Sequence, residues 1–179
     1  MFEKLCVGAL MAFVFWHPES VNATEAVPVP LPQLPATFSG TLPCASCEGI
    51  QTSITLQADG TFFSRQLYEG QASPNQANDL GRWVMSHYGN IVVMQGQNSE
   101  QRYFRVKSAD SLEMLDLEAR SIFSTLNYSL NRTPTAEMLD LKLFPLNGLY
   151  RYFADSGRYT ECASGLDLPV VTMGDNAKL

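Results

Sequence analysis

The chain is poor in histidine, in charge and in long apolar runs, and each shortage excludes something. It has two histidines in 179 residues. They are not paired at ligand spacing, and no second Cys-x-x-Cys joins the first, so nothing completes a four-ligand zinc site. No nucleophile elbow, zinc-protease helix or phosphate-cradling loop occurs. Hydrolytic and phosphate chemistry therefore have no foothold, and the chain reads as a non-enzyme. Basic residues number 12 against 18 acidic ones, giving a net charge of −6 without a basic patch. That excludes nucleic acid as a natural partner. Only 17% of residues are charged while 45% are hydrophobic, so the chain builds a real core.

The longest apolar run, residues 5–16, is too short to span a bilayer, which takes about 20 residues. It follows Lys4 and precedes Val21-Asn22-Ala23, whose small residues suit a cleavage site. Residues 1–23 therefore read as an export signal cleaved after Ala23. Export places the protein in an oxidising compartment. Cleavage removes Cys6 and leaves Cys44, Cys47 and Cys162. With an odd count, Cys162 is free, or its partner lies on another chain or beyond residue 179. Pro28, Pro30, Pro32 and Pro35 mark residues 24–37 as an extended spacer.

From residue 38 the pattern has a period of two. Ile50, Thr52, Ile54 and Leu56 share one face, with polar residues on the other. Ala58-Asp59-Gly60 supplies a hairpin turn. Return strands are predicted over 61–68, 80–85, 91–94, 102–106, 112–115 and 123–130, with 69–79 a polar loop. With a short strand at 38–42, about eight strands follow at regular spacing and none carries a helical stripe. The fold class is all-β. A small antiparallel meander barrel over 38–131 leaves no unpaired edges, and a sandwich is the structural alternative. Residues 132–147 read as a linker, and 148–162 as a further hairpin, with one more strand within 165–171. That piece is too small for a core of its own. It docks on the barrel or opens a second domain.

Cys44 and Cys47, in Leu42-Pro43-Cys44-Ala45-Ser46-Cys47-Glu48-Gly49, are the most informative residues. Oxidoreductases lower the attacking thiol's pKa at a helix N-terminus. Here a strand follows, and Glu48 beside Cys47 works against a thiolate. Two readings stay open. One is a structural disulfide closing the loop. The other is a soft grip on Cu(I), which needs few ligands. A bridge across so short a loop is reducible, so one pair can serve both roles. Met85, His87, Met94 and Met114 are of suitable type to add ligands, although methionine in strands is core filler and His87 falls in a turn. Glu48 and Asp59 belong to a rim and a turn. Trp83, Tyr103, Phe104 and Tyr128 suit barrel core or rim packing. No cofactor is required; copper is the one the thiols allow. An internal cavity, if the barrel keeps one, suits a small apolar ligand, and a carrier of that kind is the alternative function.

Residues 38–175 resemble the NlpE family, bacterial envelope lipoproteins of copper homeostasis and envelope stress. The stretch from Gly40 to Thr52 carries the resemblance, with Leu56-Gln57-Ala58-Asp59-Gly60-Thr61-Phe62, Gly81-Arg82-Trp83, Tyr103-Phe104-Arg105-Val106 and Leu112-Glu113-Met114-Leu115-Asp116. Gly148 to Asp155 and Tyr159-Thr160-Glu161-Cys162-Ala163-Ser164-Gly165 extend it. The resemblance implies an eight-stranded, lipocalin-like barrel bearing the Cys-x-x-Cys, then an OB-like β domain, of which 148–179 is a truncated start. It also implies residence in the bacterial envelope, in the periplasm or on the periplasmic face of the outer membrane. Copper tolerance and signalling to an envelope-stress sensor kinase or other membrane partner follow from it too. Cys44 and Cys47 would be Cu(I) ligands or a reversible disulfide, and Cys162 would pair with a cysteine missing here. Cys6 lies at the start of the apolar run and not after it, so it does not match the family's lipid-bearing cysteine.

Overall fold

A computed structural model describes residues 33–87, 89–97 and 101–171. The export signal with its cleavage site, and most of the proline-rich spacer, lie outside these residues. Eight antiparallel strands form a closed barrel in simple chain order. They are β1 (Ala36–Leu42), β2 (Gly49–Leu56), β3 (Thr61–Glu69), β4 (Gln76–Met85), β5 (Ile91–Gly96), β6 (Arg102–Ser108), β7 (Ser111–Met114) and β8 (Ser129–Arg132). Closure comes from β1 pairing with β8, Phe38 opposite Arg132 and Ser39 opposite Asn131. A short 3-10 helix (Leu141–Leu143) follows, then a three-stranded sheet of β9 (Gly148–Phe153), β10 (Ser156–Glu161) and β11 (Asp167–Val170).

Alternation sets the barrel's contents. Leu56 lies opposite Ala36 and Phe62, and Ile54 opposite Phe38 and Ser64, so these side chains point inward together. Phe38, Ile54, Leu56, Phe62, Val92, Met94, Phe104, Leu112 and Leu130 are fully buried and fill the axis at the end where β2 finishes. Trp83 and Phe104 join this core as expected, whereas Tyr103 and Tyr128 are half-buried. A packed axis leaves little room for an apolar cargo. Two cavities, of about 440 and 530 Å³, are open and flanked mainly by polar residues such as Gln51, Gln66, Gln76 and Asn78.

The hairpin at Asp59 forms where its residues require it. Asp59 Oδ1 accepts from the Thr61 amide at 2.9 Å and the Thr61 hydroxyl at 2.7 Å. Gly60 supplies a φ of 81°. Those two bonds to Thr61 hold the Asp59 carboxyl below its ordinary pKa.

Three expectations need correction. β1 begins at Ala36, inside the segment expected as spacer. β4 begins at Gln76, so the loop expected over 69–79 shrinks to 70–75. Asp79 and Ala77 face the barrel's polar mouth, and no apolar alternation marks them. The strand expected over 123–130 is only Ser129–Arg132. Phe123 is fully exposed, because the segment crosses the rim as an irregular connection. Asp116 accepts from the Glu118 and Arg120 amides there, and Asn127 from the Ser129 amide, so side chains supply the bonds a strand partner would have made.

The linker is not loose. Phe63 and Leu80 lie opposite each other on β3 and β4 and point outward. With Phe144 they form a second apolar cluster, against which Leu139, Leu146 and Leu166 pack. The Phe63 and Phe144 rings meet edge-on, centroids 6.0 Å apart. Glu137 adds an ion pair with Arg65 and accepts from Ser53 at 2.9 Å.

Candidate functional site at the barrel rim

β1, β3, β5 and β7 all run toward one end of the barrel, and the cysteine loop closes that end between β1 and β2. Leu42 anchors it on the barrel side, with only 4% of its surface exposed. Beyond it, Cys44 and Cys47 form a disulfide with Cα atoms 5.3 Å apart. Both cysteines are half-buried, and Ala45 and Ser46 between them are exposed. Cys47 Sγ lies 3.3 Å from the Gly49 carbonyl oxygen, an acceptor ready for a thiol once the bridge is reduced.

The loop is seated by neighbours on β2 and β3. The Glu48 amide donates to the Glu69 carbonyl at 3.1 Å, and Gln51 Nε2 to Glu69 Oε1 at 2.6 Å. A Cβ on Gly49 would come 2.6 Å from the Thr41 methyl, so glycine allows the close approach. The Glu48 chain lies against Gly70, which has a φ of 75°. Glu48 and Glu69 thus place negative charge at the base of the loop, where β2 begins and β3 ends. The motif opens a strand, so no helix dipole activates it.

The other residues considered for metal are not brought here. Met85 ends β4 and His87 follows it, at the opposite end of the barrel. Met94 is fully buried in the core, and Met85 and Met114 pack against that core. Among the described residues no group of three or more His, Cys, Asp or Glu side chains is arranged to hold a metal ion. The disulfide, once opened, offers two sulfurs, enough for Cu(I) and too few for structural zinc. Cys162 is exposed and has no disulfide partner among the described residues.

The sequence reading overlooked a polar group in the same end of the barrel. Arg102 Nη2 donates to Ser64 Oγ at 3.1 Å and to Asp79 Oδ2 at 3.3 Å, with its guanidinium 5.8 Å from the Phe62 ring centre. Burial lowers the Arg102 pKa, opposed by the charge of Asp79. Nothing in the local sequence marks this group, because its members lie on β3, β4 and β6.

Two family descriptions match: the NlpE N-terminal domain over residues 38–125 and the NlpE C-terminal OB domain over residues 141–179. The chain belongs to the NlpE family. It is 37% identical over 136 residues to lipoprotein NlpE of Escherichia coli K12, covering 75% of this chain and 56% of that protein. It is 40% identical over 65 residues to the 17 kDa lipoprotein of Treponema pallidum, covering 36% of this chain and 41% of that one. The chain thus spans about half the length of the curated relatives it matches. A crystal structure of a lipoprotein from Shewanella oneidensis overlays with a TM-score of 0.50 at 31% identity, covering 58% of this chain and 93% of that one. The crystal structure described as the Cpx pathway activator NlpE from Escherichia coli overlays with a TM-score of 0.45 at 32% identity, covering 81% of this chain and 74% of that one. The two matched regions fall on the barrel and on the three-stranded sheet described above.

Proposed function

We propose that the protein is a non-catalytic sensor in the bacterial envelope, in the periplasm or on the periplasmic face of the outer membrane. Its Cys44–Cys47 pair reads copper and redox stress, and the altered protein signals by contact with a membrane partner such as an envelope-stress sensor kinase. One observation carries this reading: a half-exposed disulfide on the barrel rim, at the opening of a strand and so without the helix dipole that a catalytic dithiol uses. Reduction of the bridge frees two soft donors where Cu(I) has access. The Escherichia coli relative's description as a Cpx pathway activator points to the class of partner. In a cell lacking its own protein of this family, copper-dependent induction of the envelope-stress response should appear with the wild type and vanish with Cys44→Ser plus Cys47→Ser. Induction that survives the double substitution at equal protein level contradicts the proposal.

A further inference from the structure

The second sheet meets the barrel through Gln97, through Arg82 and through the apolar cluster that takes in Leu166. Gln97 follows β5 at the rim. Its Nε2 donates to Glu161 Oε1 at 2.7 Å, and its Oε1 accepts from Asn147 Nδ2 at 3.2 Å. Glu161 ends β10 and is fully buried. Its second oxygen accepts from the Ser164 amide at 2.6 Å and from the Ser164 hydroxyl, and Oε1 also accepts from the Ala163 amide at 3.1 Å. The turn that carries Cys162 is therefore organised around one carboxylate, and Gln97 ties that carboxylate to the barrel. Asn147, the last linker residue, closes a ring: its carbonyl accepts from the Cys162 amide at 2.9 Å. A second barrel contact, Arg82 Nη1 to the Ser164 carbonyl at 2.8 Å, lands on the same turn.

Gln97 is itself positioned from inside the barrel. Its amide donates to Asp79 Oδ1 at 2.9 Å, and the other oxygen of that carboxylate holds Arg102. The chain of contacts thus runs Arg102, Asp79, Gln97, Glu161, from the barrel's mouth to the turn beside Cys162. Among the described residues the buried Arg102 Nε has no hydrogen-bond partner, and the guanidinium is held through Nη2 and against the Phe62 ring. A buried donor left unmade is costly and makes that arrangement open to change.

We propose that this relay is a latch: the geometry of Asp79 and Arg102 inside the barrel sets whether Gln97 holds the second sheet in place. A change in the barrel's mouth then alters the protection of the Cys162 turn, without any direct contact between the two. The relay is distinct from the copper reading and stands if that reading fails.

The test is hydrogen exchange on the full chain, read by peptide mass spectrometry so that residues 158–166 are followed separately from β2 and β3. Gln97→Met removes both side-chain bonds at similar volume, and Gln97→Glu sets a carboxylate against Glu161. Arg102→Lys keeps the buried charge and loses the paired geometry. The latch predicts at least tenfold faster exchange over 158–166 in both Gln97 variants and at least threefold in Arg102→Lys. Protection of β2 and β3 should stay within twofold of wild type. Alkylation of Cys162 should accelerate in the same order. Unchanged exchange in the Gln97 variants overturns the latch and leaves the apolar cluster at Phe144 and Leu166 as what holds the sheet. Release by the Gln97 variants without release by Arg102→Lys overturns the link to the barrel's interior. Equal acceleration across β2 and β3 also overturns it, since that is global loosening.

Discussion

Asp79 occupies the space that a side chain on Gly96 would need. A Cβ built on Gly96 overlaps the Asp79 carboxylate, so glycine at the end of β5 leaves that carboxylate its place. The same carboxylate accepts from the Leu80 amide at 3.0 Å and from the Gln97 amide at 2.9 Å. A small residue, a buried charge and the rim are thus one unit.

Gly96→Ala should therefore destabilise the barrel by about 1–3 kcal/mol, the usual cost of forced overpacking. Urea unfolding followed by tryptophan fluorescence measures it, since Trp83 sits in the core. Stability equal to wild type would mean that Asp79 is not held where it is described.

Phe63→Ala should cost about 3 kcal/mol or more, as large-to-small changes at buried aromatics do. Phe63 is 3% exposed although it points away from the barrel axis. The loss should also speed proteolysis across residues 133–147, whose Phe144 would lose its ring partner. Limited proteolysis with peptide mapping checks this.

Much of this architecture was legible in the sequence and some was not, for physical reasons. The alternation at Ile50, Thr52, Ile54 and Leu56, and the Asp59-Gly60 turn, announce themselves because they depend on local chemistry. The start of β4 does not, because Asp79 faces a polar interior and breaks the expected period. Phe62 and Phe63 are adjacent and both buried, one inside the barrel and one under the linker, and alternation accounts only for the first. Phe123 and Leu126 look like strand residues, yet β7, with four residues, offers them no partner. The Cys44–Cys47 disulfide was legible as one of two readings of the motif. Glu161 was not, because its donors come from a turn and from the barrel.

Asp59 gives the hairpin a pH dependence with a definite sign. Its carboxyl titrates below its ordinary value of 3.8 when folded, through the hydroxyl and amide of Thr61. A depressed acid stabilises the fold above its unfolded pKa and loses that contribution as pH falls through the folded pKa. Asp59→Asn should therefore unfold at lower denaturant than wild type at pH 7, by roughly 1 kcal/mol as for a capping side chain. The gap should close as pH drops below 3.8, the ordinary value. A gap that persists unchanged at the acid end would assign the effect to packing.

Opening the rim disulfide should leave the barrel folded. The bridge spans a sequence separation of 3. Loop-closure entropy then amounts to about 2 kcal/mol or less. Chemical unfolding with and without reductant measures the difference. A loss well above that figure would make the bridge a principal support of the barrel and not a reversible element.

The most direct measurement is native mass spectrometry of the reduced protein titrated with Cu(I) under anaerobic conditions, beside Cys44→Ser plus Cys47→Ser. The account predicts one copper ion on the wild type, none on the double variant, and recovery of the Cys44–Cys47 bridge after copper removal and oxidation. Copper bound equally by both proteins, or no copper on reduced wild type, would contradict it.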